Sequence, residues 1–329
     1  MRKFKKILIT GINGSAGSYL TDYILNHHPK VKIFGSTKST NYENIKHLKN
    51  KVKTYRCDLN NIKNVINLIK KTRPDAIFHL ASNADVRESF NIPHDIINNN
   101  NNCTLNLLES IRLIKLDPII MICSTSEVYG QVEKKNMPIN ELQPINPINP
   151  YAVSKAFQDI VSYNYYLNFD LKIIITRMFT YLNSRRKNLF ASNWAYQIAK
   201  IELNLSKYLY HGNLKSSRNI IDINDAMEAY WLAATKGKIG EIYNIGGSKH
   251  INLKDFLNLL ISKSTKKIVS KIDKKLIRTT DITVQIPNSN KFKKHTKWKP
   301  KISFETSVEN LLKEMRLKVR KELKESKKK

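Results

Sequence analysis

The sequence predicts an α/β fold: a doubly wound parallel sheet followed by a smaller, mixed α/β lobe. Three observations predict it. Short apolar, β-rich runs alternate with helical patterns through residues 1–178. A glycine-rich turn joins the first such run to the first helical pattern. Beyond residue 178 the alternation loosens. Alternating β and α elements imply parallel strands joined by right-handed crossovers.

Phe4 to Thr10 reads as the first strand. Gly11-Ile12-Asn13-Gly14-Ser15-Ala16-Gly17 follows, and then Tyr19, Leu20, Tyr23 and Ile24 at helical spacing. Strand, glycine turn and helix in this order form the Rossmann-like dinucleotide fingerprint. Gly11 permits the tight turn, Gly14 lets the backbone approach a pyrophosphate, and Gly17 lets helix and strand pack closely. The alternative is a plain glycine-rich turn. The second strand, Val31 to Gly35, leads into Ser36-Thr37-Lys38-Ser39. NAD sites commonly place an acid here for the adenosine ribose. This chain has none, and Lys38 favours the 2′-phosphate of NADP; the other reading is one more surface lysine.

The alternation continues. Val52 to Arg56 reads as a strand ending in Cys57-Asp58-Leu59, and Ile62 to Lys71 as a helix. Asp75 to Leu80 is a strand ending in His79-Leu80-Ala81. A long helix around Ile96 to Ile114 carries the run Asn98 to Asn102. Strand Ile119 to Cys123 then leads into Ser124-Thr125-Ser126-Glu127-Val128-Tyr129-Gly130. Ligands of such sheets bind beyond the C-terminal strand ends. Gly11, Asp58, Ala81 and Thr125 all fall there.

Pro150-Tyr151-Ala152-Val153-Ser154-Lys155 opens a helix running to about Phe169. Residues four apart are helical neighbours. A lysine cation beside a phenol favours the phenolate, so Tyr151 is expected to ionise more easily and to pass protons. The spacing alone is weak. Roughly three such Tyr/Lys or Tyr/Arg pairs arise by chance at this composition, and Tyr42/Lys46 and Tyr196/Lys200 repeat it. A packed tyrosine beside a solvated lysine is the other reading.

Leu171 to Met178 is an apolar strand followed by Phe179-Thr180-Tyr181. Arg185 and Arg186 lie in a basic loop, with Arg218 and Arg278 in later ones. Scattered arginines after a nucleotide fold suit a second diphosphate, which Arg binds in bidentate fashion. Singly, each also reads as a surface arginine. The expected division is a dinucleotide-binding domain over 1–178 and a mainly substrate-binding lobe over 179–329, with some later segments returning to the sheet.

Composition excludes several classes. Hydrophobic content is 41% over 329 residues, and no apolar run approaches the ~18 residues of a membrane span. The basic start Met1 to Lys6 precedes only Ile7-Leu8-Ile9, too short for a signal peptide, so a cytoplasmic protein is expected. Three dispersed cysteines form neither a disulfide framework nor a metal cluster; Cys57 and Cys123 read as small buried thiols. The net charge of +30 comes from lysines spread along the whole chain. They read as solvated surface, with no recognition module for nucleic acid. The tail Lys318 to Lys329, ending a helix from about Phe304, reads as a frayed end.

The glycine loop, the Ser124-to-Gly130 segment and Tyr151/Lys155, in this order, resemble the extended short-chain dehydrogenase/reductase family. Thr125-Ser126-Glu127 is similar to the 4,6-dehydratase form, in its GDP-mannose 4,6-dehydratase version. Gly17-Ser18-Tyr19-Leu20, Tyr129-Gly130-Gln131-Val132, Ser184-Arg185-Arg186, Gly212-Asn213-Leu214 before Arg218, and Arg278-Thr279-Thr280-Asp281 look like the same subfamily. The resemblance implies NADP held by Gly11, Asn13, Gly14, Gly17, Lys38, Asp58, Leu59, Leu80 and Ala81 together with Tyr151 and Lys155. It implies a nucleotide-sugar, GDP-linked for preference, gripped by Asn83, Thr180, Arg185, Arg186, Arg218 and Arg278, and no metal. Its catalytic residues are Thr125, Glu127, Tyr151 and Lys155. Tyr151 takes the C4 hydroxyl proton as the C4 hydride leaves for NADP⁺, Thr125 holds the C4 oxygen, and Glu127 removes the C5 proton. The implied product is a 4-keto-6-deoxy sugar nucleotide.

Two alternatives stay open: an NADPH-dependent reductase or epimerase of a GDP-, UDP- or dTDP-sugar, and an NADP-binding regulatory protein. Members commonly pair through the Tyr151 helix and the long helix before Thr125, which implies a homodimer or homotetramer. Thr180 stands where the family usually has Asn, Asn83-Ala84-Asp85 where it has Gln-Ser-His, and Arg218-Asn219-Ile220 where it has an Arg-Asp-Trp-like string. Thr180 and Ala84 lie where substrate is gripped, so the sugar and base stay open.

Overall fold

The structure, a computed structural model, describes residues 1–278 and 280–327. The chain enters a sheet at β1 (Lys6–Thr10), crosses through α1 (Ser15–His27) to β2 (Lys32–Thr37), and adds β3 (Lys53–Arg56) beyond it. Helix α2 (Ile62–Thr72) carries it back to β4 (Ala76–His79), on the other side of β1. Helices α3 (Glu88–Asn91) and α4 (Pro93–Ile114) precede β5 (Ile119–Thr125), and α5 (Pro150–Phe169) precedes β6 (Ile173–Met178). The chain then builds β7 (Thr180–Tyr181), α6 (Phe190–Glu202), β8 (Leu209–His211) and β9 (Ser217–Ile221) outside this sheet. It returns through α7 (Ile223–Lys236) to β10 (Ile242–Ile245), beside β6. It leaves again as β11 (Lys249–Asn252), α8 (Leu253–Ser262) and β12 (Ser270–Ile272), returns with α9 (Asn290–Thr296), and ends in α10 (Phe304–Ser326).

Seven parallel strands lie in the order β10-β6-β5-β4-β1-β2-β3. The order reverses between β1 and β4, which opens a crevice at their C-terminal ends. The strands are near-continuous apolar runs because helices cover both faces. Alternate side chains serve alternate cores. Ile7 and Ile9 join α1 and α7 through Leu20, Ile24, Tyr230 and Trp231, while Leu8 joins α2 and α4 through Leu68, Ile69 and Leu107. Each such aliphatic side chain contributes about 1.5–3 kcal/mol on burial.

A three-stranded sheet (β11-β9-β7) and a two-stranded one (β12-β8) build the smaller lobe with α6, α8 and α10. Its core gathers Trp194, Ile198, Phe256, Leu260, Leu312 and Met315. The expected frayed tail is corrected here. Helix α10 runs to Ser326, Val319 is buried, and Lys321 pairs with Glu43 at 3.0 Å. Leu311, Leu312, Met315 and Val319 repeat at helical spacing, so most of the lysines occupy the outer face, with Lys318 half-buried. Lys328 and Lys329 lie outside the described residues, as does Thr279 of the Arg278-to-Asp281 string. Among the described residues no helix is long and apolar enough to cross a membrane.

Candidate active site

The C-terminal strand ends and the smaller lobe enclose a cavity of about 370 Å³. Its floor begins at the glycine loop. Gly11 takes a φ of +67°, and a Cβ there would sit 2.9 Å from the Cα of Ala81. A Cβ on Gly17 would sit 2.3 Å from the Gly11 carbonyl oxygen, so helix α1 seats this closely only on glycine. Gly14 caps α1 without a side-chain hydrogen bond, and no acid occupies the first turn. The helix therefore offers unclaimed backbone N–H groups and its positive dipole end to the cavity. That fits the pyrophosphate of a dinucleotide.

The loop after β4 is held from beneath. Thr10 Oγ1 accepts from the backbone N–H groups of Leu80 and Ala81, at 3.1 and 3.2 Å. Its own hydrogen is left for His79 Nδ1, 2.9 Å away, so His79 Nε2 donates to Thr104 Oγ1 at 3.0 Å. The ring is thereby fixed neutral. Burial, helped by the Lys155 charge, pushes its pKa from 6.5 down to about 3. The unfolded chain protonates this histidine near its ordinary value and the fold does not. Stability is therefore lost as pH falls below 6.5, continuing to about 3. Acidifying from pH 7 to pH 5 is expected to remove about 2 kcal/mol through this one residue. Urea unfolding at the two pH values checks it: His79→Gln should show a correspondingly smaller difference.

Helix α5 starts at Asn149, whose Oδ1 accepts from Ala152 N at 2.8 Å, with Pro150 in the first turn. The same Asn149 donates through Nδ2 to Glu127 Oε2 at 3.0 Å. Thr125 is the last residue of β5, and its Oγ1 accepts from Glu127 N at 3.3 Å. Thr125, Glu127, Tyr151 and Lys155 all line the cavity. Their electrostatics depart from the expectation. Lys155 Nζ donates to the Cys123 carbonyl at 2.8 Å and lies 6.0 Å from the Tyr151 ring centre. Burial pushes the Tyr151 phenol well above its ordinary value, and pushes the Lys155 ammonium down. Four-residue spacing gave the shared face but not the lysine's direction: a buried ammonium takes the nearest carbonyl.

Among the other expected site residues, Leu80, Thr180, Arg186, Arg218 and Arg278 line the cavity, as do Gly11, Gly14 and Gly17. Arg218 donates to Asp281 Oδ1 at 3.0 Å and to the Ile282 carbonyl at 2.7 Å, and Arg278 faces the same carboxylate at 3.8 Å. Asn13, Lys38, Asp58 and Leu59 lie off the cavity, on the β2–β3 side of the glycine loop; Lys38 pairs with Asp58 at 3.0 Å. Ala81 backs Gly11. Asn83 is tied through its backbone to Asn100. Arg185 turns away: it pairs with Asp22 at 2.5 Å and lies over the Tyr19 ring, 4.0 Å from its centre. It joins the lobe to α1 instead of facing the cavity.

Three features were not read from the sequence. Tyr181 and Tyr230 line the cavity beside Cys123, whose Sγ is 3.0 Å from the Tyr230 hydroxyl, so Cys123 is not a simple core thiol. Trp194 and Phe190 wall the lobe side. Asn100 is fully buried and links the β4 loop to Ser154 of α5 at 2.9 Å. The run Asn98 to Asn102 was the available signal, but nothing in the sequence says which of its asparagines is buried.

Residues 8–311 match the family profile described as GDP-mannose 4,6 dehydratase. The chain belongs to this family. GDP-mannose 4,6 dehydratase 2 of Caenorhabditis elegans is 28% identical over 95% of this chain and 88% of its own length. GDP-6-deoxy-D-mannose reductase of Pseudomonas aeruginosa is 25% identical over 97% and 99%. Among solved structures, dTDP-glucose 4,6-dehydratase of Bacillus anthracis in complex with NAD superposes with a TM-score of 0.80 at 25% identity, over 94% of this chain and 96% of that one. Membership of the GDP-mannose 4,6 dehydratase family makes the chain a nucleotide-sugar dehydratase or a related reductase that works with a nicotinamide dinucleotide.

Proposed function

We propose that the enzyme is a GDP-mannose 4,6-dehydratase using NADP. The observation that carries this is Glu127, set in one cavity with Thr125, Tyr151 and Lys155 and held by Asn149. Oxidation of an alcohol needs a phenol, a cation and a hydroxyl; removal of the C5 proton needs a further base. Tyr151 takes the proton of the C4 hydroxyl, and Thr125 Oγ1 holds the C4 oxygen. Lys155, anchored on the Cys123 carbonyl, keeps positive charge beneath the reacting oxygen. Glu127 takes the proton from C5 and hands it to the C6 hydroxyl, which leaves as water; a solvent proton delivered through Glu127 then completes C5, while Tyr151 releases its proton to solvent. The bound nicotinamide supplies the hydride acceptor for C4 and the hydride that completes C6. Gly11, Gly14, Gly17 and the α1 N-terminus hold the cofactor, largely within residues 1–178. Arg218 and Arg278 meet the sugar nucleotide's diphosphate from the lobe.

For the cofactor, Lys38 and the missing acid after β2 favour the 2′-phosphate. Lys38→Glu is expected to weaken NADP binding about tenfold, the worth of one charge-assisted hydrogen bond, with NAD binding little changed. Paired fluorescence titrations with the two cofactors measure this. Two copies are expected to associate through α4 and α5. Val153, Ile160 and Leu167 are exposed at seven-residue intervals on α5, with Leu113 exposed on α4.

The deciding experiment mixes purified enzyme with GDP-mannose and a catalytic quantity of NADP⁺. A 4-keto-6-deoxy product is expected. Turnover only of a 4-keto sugar, with stoichiometric loss of NADPH, would replace this reading with the reductase one.

A further inference from the structure

The loop Ser184–Asn188 carries three consecutive cations, and the structure treats them differently. Arg185 is neutralised by Asp22, and Lys187 by Glu322 at 2.6 Å. Ser184 meets Tyr19 at 2.8 Å and also Glu314 of α10. These contacts fasten the loop to α1 on one side and to α10 on the other. Arg186, between the two paired cations, is the one that lines the cavity. Its Nη2 donates to the Ala84 carbonyl at 2.7 Å and its Nε to Asn188 Oδ1 at 2.8 Å. Asn188 in turn donates to Asp85. Both direct partners of Arg186 are neutral, and it forms no ion pair among the described residues. Its full charge therefore faces the cavity that Tyr151 also lines.

We infer that Arg186 is a positioning residue for Tyr151: a cation that the smaller lobe presents to stabilise the phenolate. The inference rests on Tyr151 being the acid–base group proposed above. The groups around the phenol come from every side. Cys123 of β5, Glu127 of the following turn and Tyr181 of β7 oppose its ionisation, in addition to burial. Tyr230 of α7 lies close enough to feel its charge. Lys155, one turn along α5, is committed to the Cys123 carbonyl. Arg186 acts in the opposite sense and draws the phenol back toward ionisation. The hydrogen bonds to Ala84 and Asn188 hold this cation on the cavity side of the loop.

Arg186→Gln removes the charge and keeps a hydrogen-bonding side chain. Its acid limb in the pH profile of kcat/KM is expected to move up by about one unit. Below that limb this is about a tenfold loss. Arg186→Lys should restore most of it. A raised KM with an unmoved limb would overturn the inference and leave Arg186 a substrate ligand only. A second readout needs no turnover. In NADP-loaded protein labelled with difluorotyrosine, the Tyr151 resonance is assigned by its loss in Tyr151→Phe, and its titration is followed by fluorine NMR. Arg186→Gln should titrate at higher pH, and coincident curves would overturn the inference. A shifted resonance in a protein that turns over no nucleotide-sugar would support the inference and reject the proposed reaction.

Discussion

Tyr151→Phe is expected to lower kcat by about 10²–10⁴-fold, the usual contribution of a positioned acid–base group. The change deletes one hydroxyl and leaves the ring in place, so the start of α5 keeps its cap from Asn149. NADP binding should change little, because the glycine loop and the α1 N-terminus are untouched. Turnover and cofactor titration on the same preparation separate the two effects. A variant with near-normal kcat would move the proton-transfer role to another group in the cavity. Cys123 and Tyr230 are then the ones to examine, since their side chains already meet.

Glu127→Gln is expected to abolish water loss, with a fall in product formation of about 10²–10⁴-fold. Gln still offers an oxygen to Asn149 Nδ2, so the local hydrogen bond survives and a folding defect is not the cause. The diagnostic is isotopic. Product formed by the wild-type enzyme in deuterated water should carry deuterium at C5, because Glu127 exchanges its proton there. Neither recovered substrate nor product from Glu127→Gln should carry that label. Full turnover with C5 labelling would remove Glu127 from the mechanism and return the choice to a reductase or an epimerase.

The sheet was legible because its strands are buried on both faces. Ile7 to Ile9, Ile119 to Ile122 and Ile173 to Ile175 are unbroken apolar runs, as strands covered on both faces require. The glycine loop was legible because a Cβ cannot fit at Gly17. Side-chain direction was not. Arg185 and Arg186 are neighbours with the same chemistry, and only Asp22, 163 residues away in sequence, decides which of them is neutralised. Lys155 and Tyr151 share a helical face as expected, yet the ammonium satisfies a carbonyl of the adjacent strand. In α10 the lysines hid the apolar stripe that Val319 completes, because a count of charges weighs every face of a helix equally.

The order of the strands has a consequence for dissecting the molecule. Strand β6 is covered on one side only by β10, which the chain supplies after it has built the first half of the lobe. A fragment ending at residue 178 would expose β6 as an open edge, and strand edges of this kind recruit other chains. It would also lose Trp231 of α7, whose ring stacks on Phe78 of β4 at 6.1 Å within the same core. The cofactor half is therefore not a portable module. Exchanging lobes between relatives to alter sugar preference requires grafting at every junction where the backbone passes between the two bodies. A single cut after β6 should yield aggregates, however well the donor lobe folds.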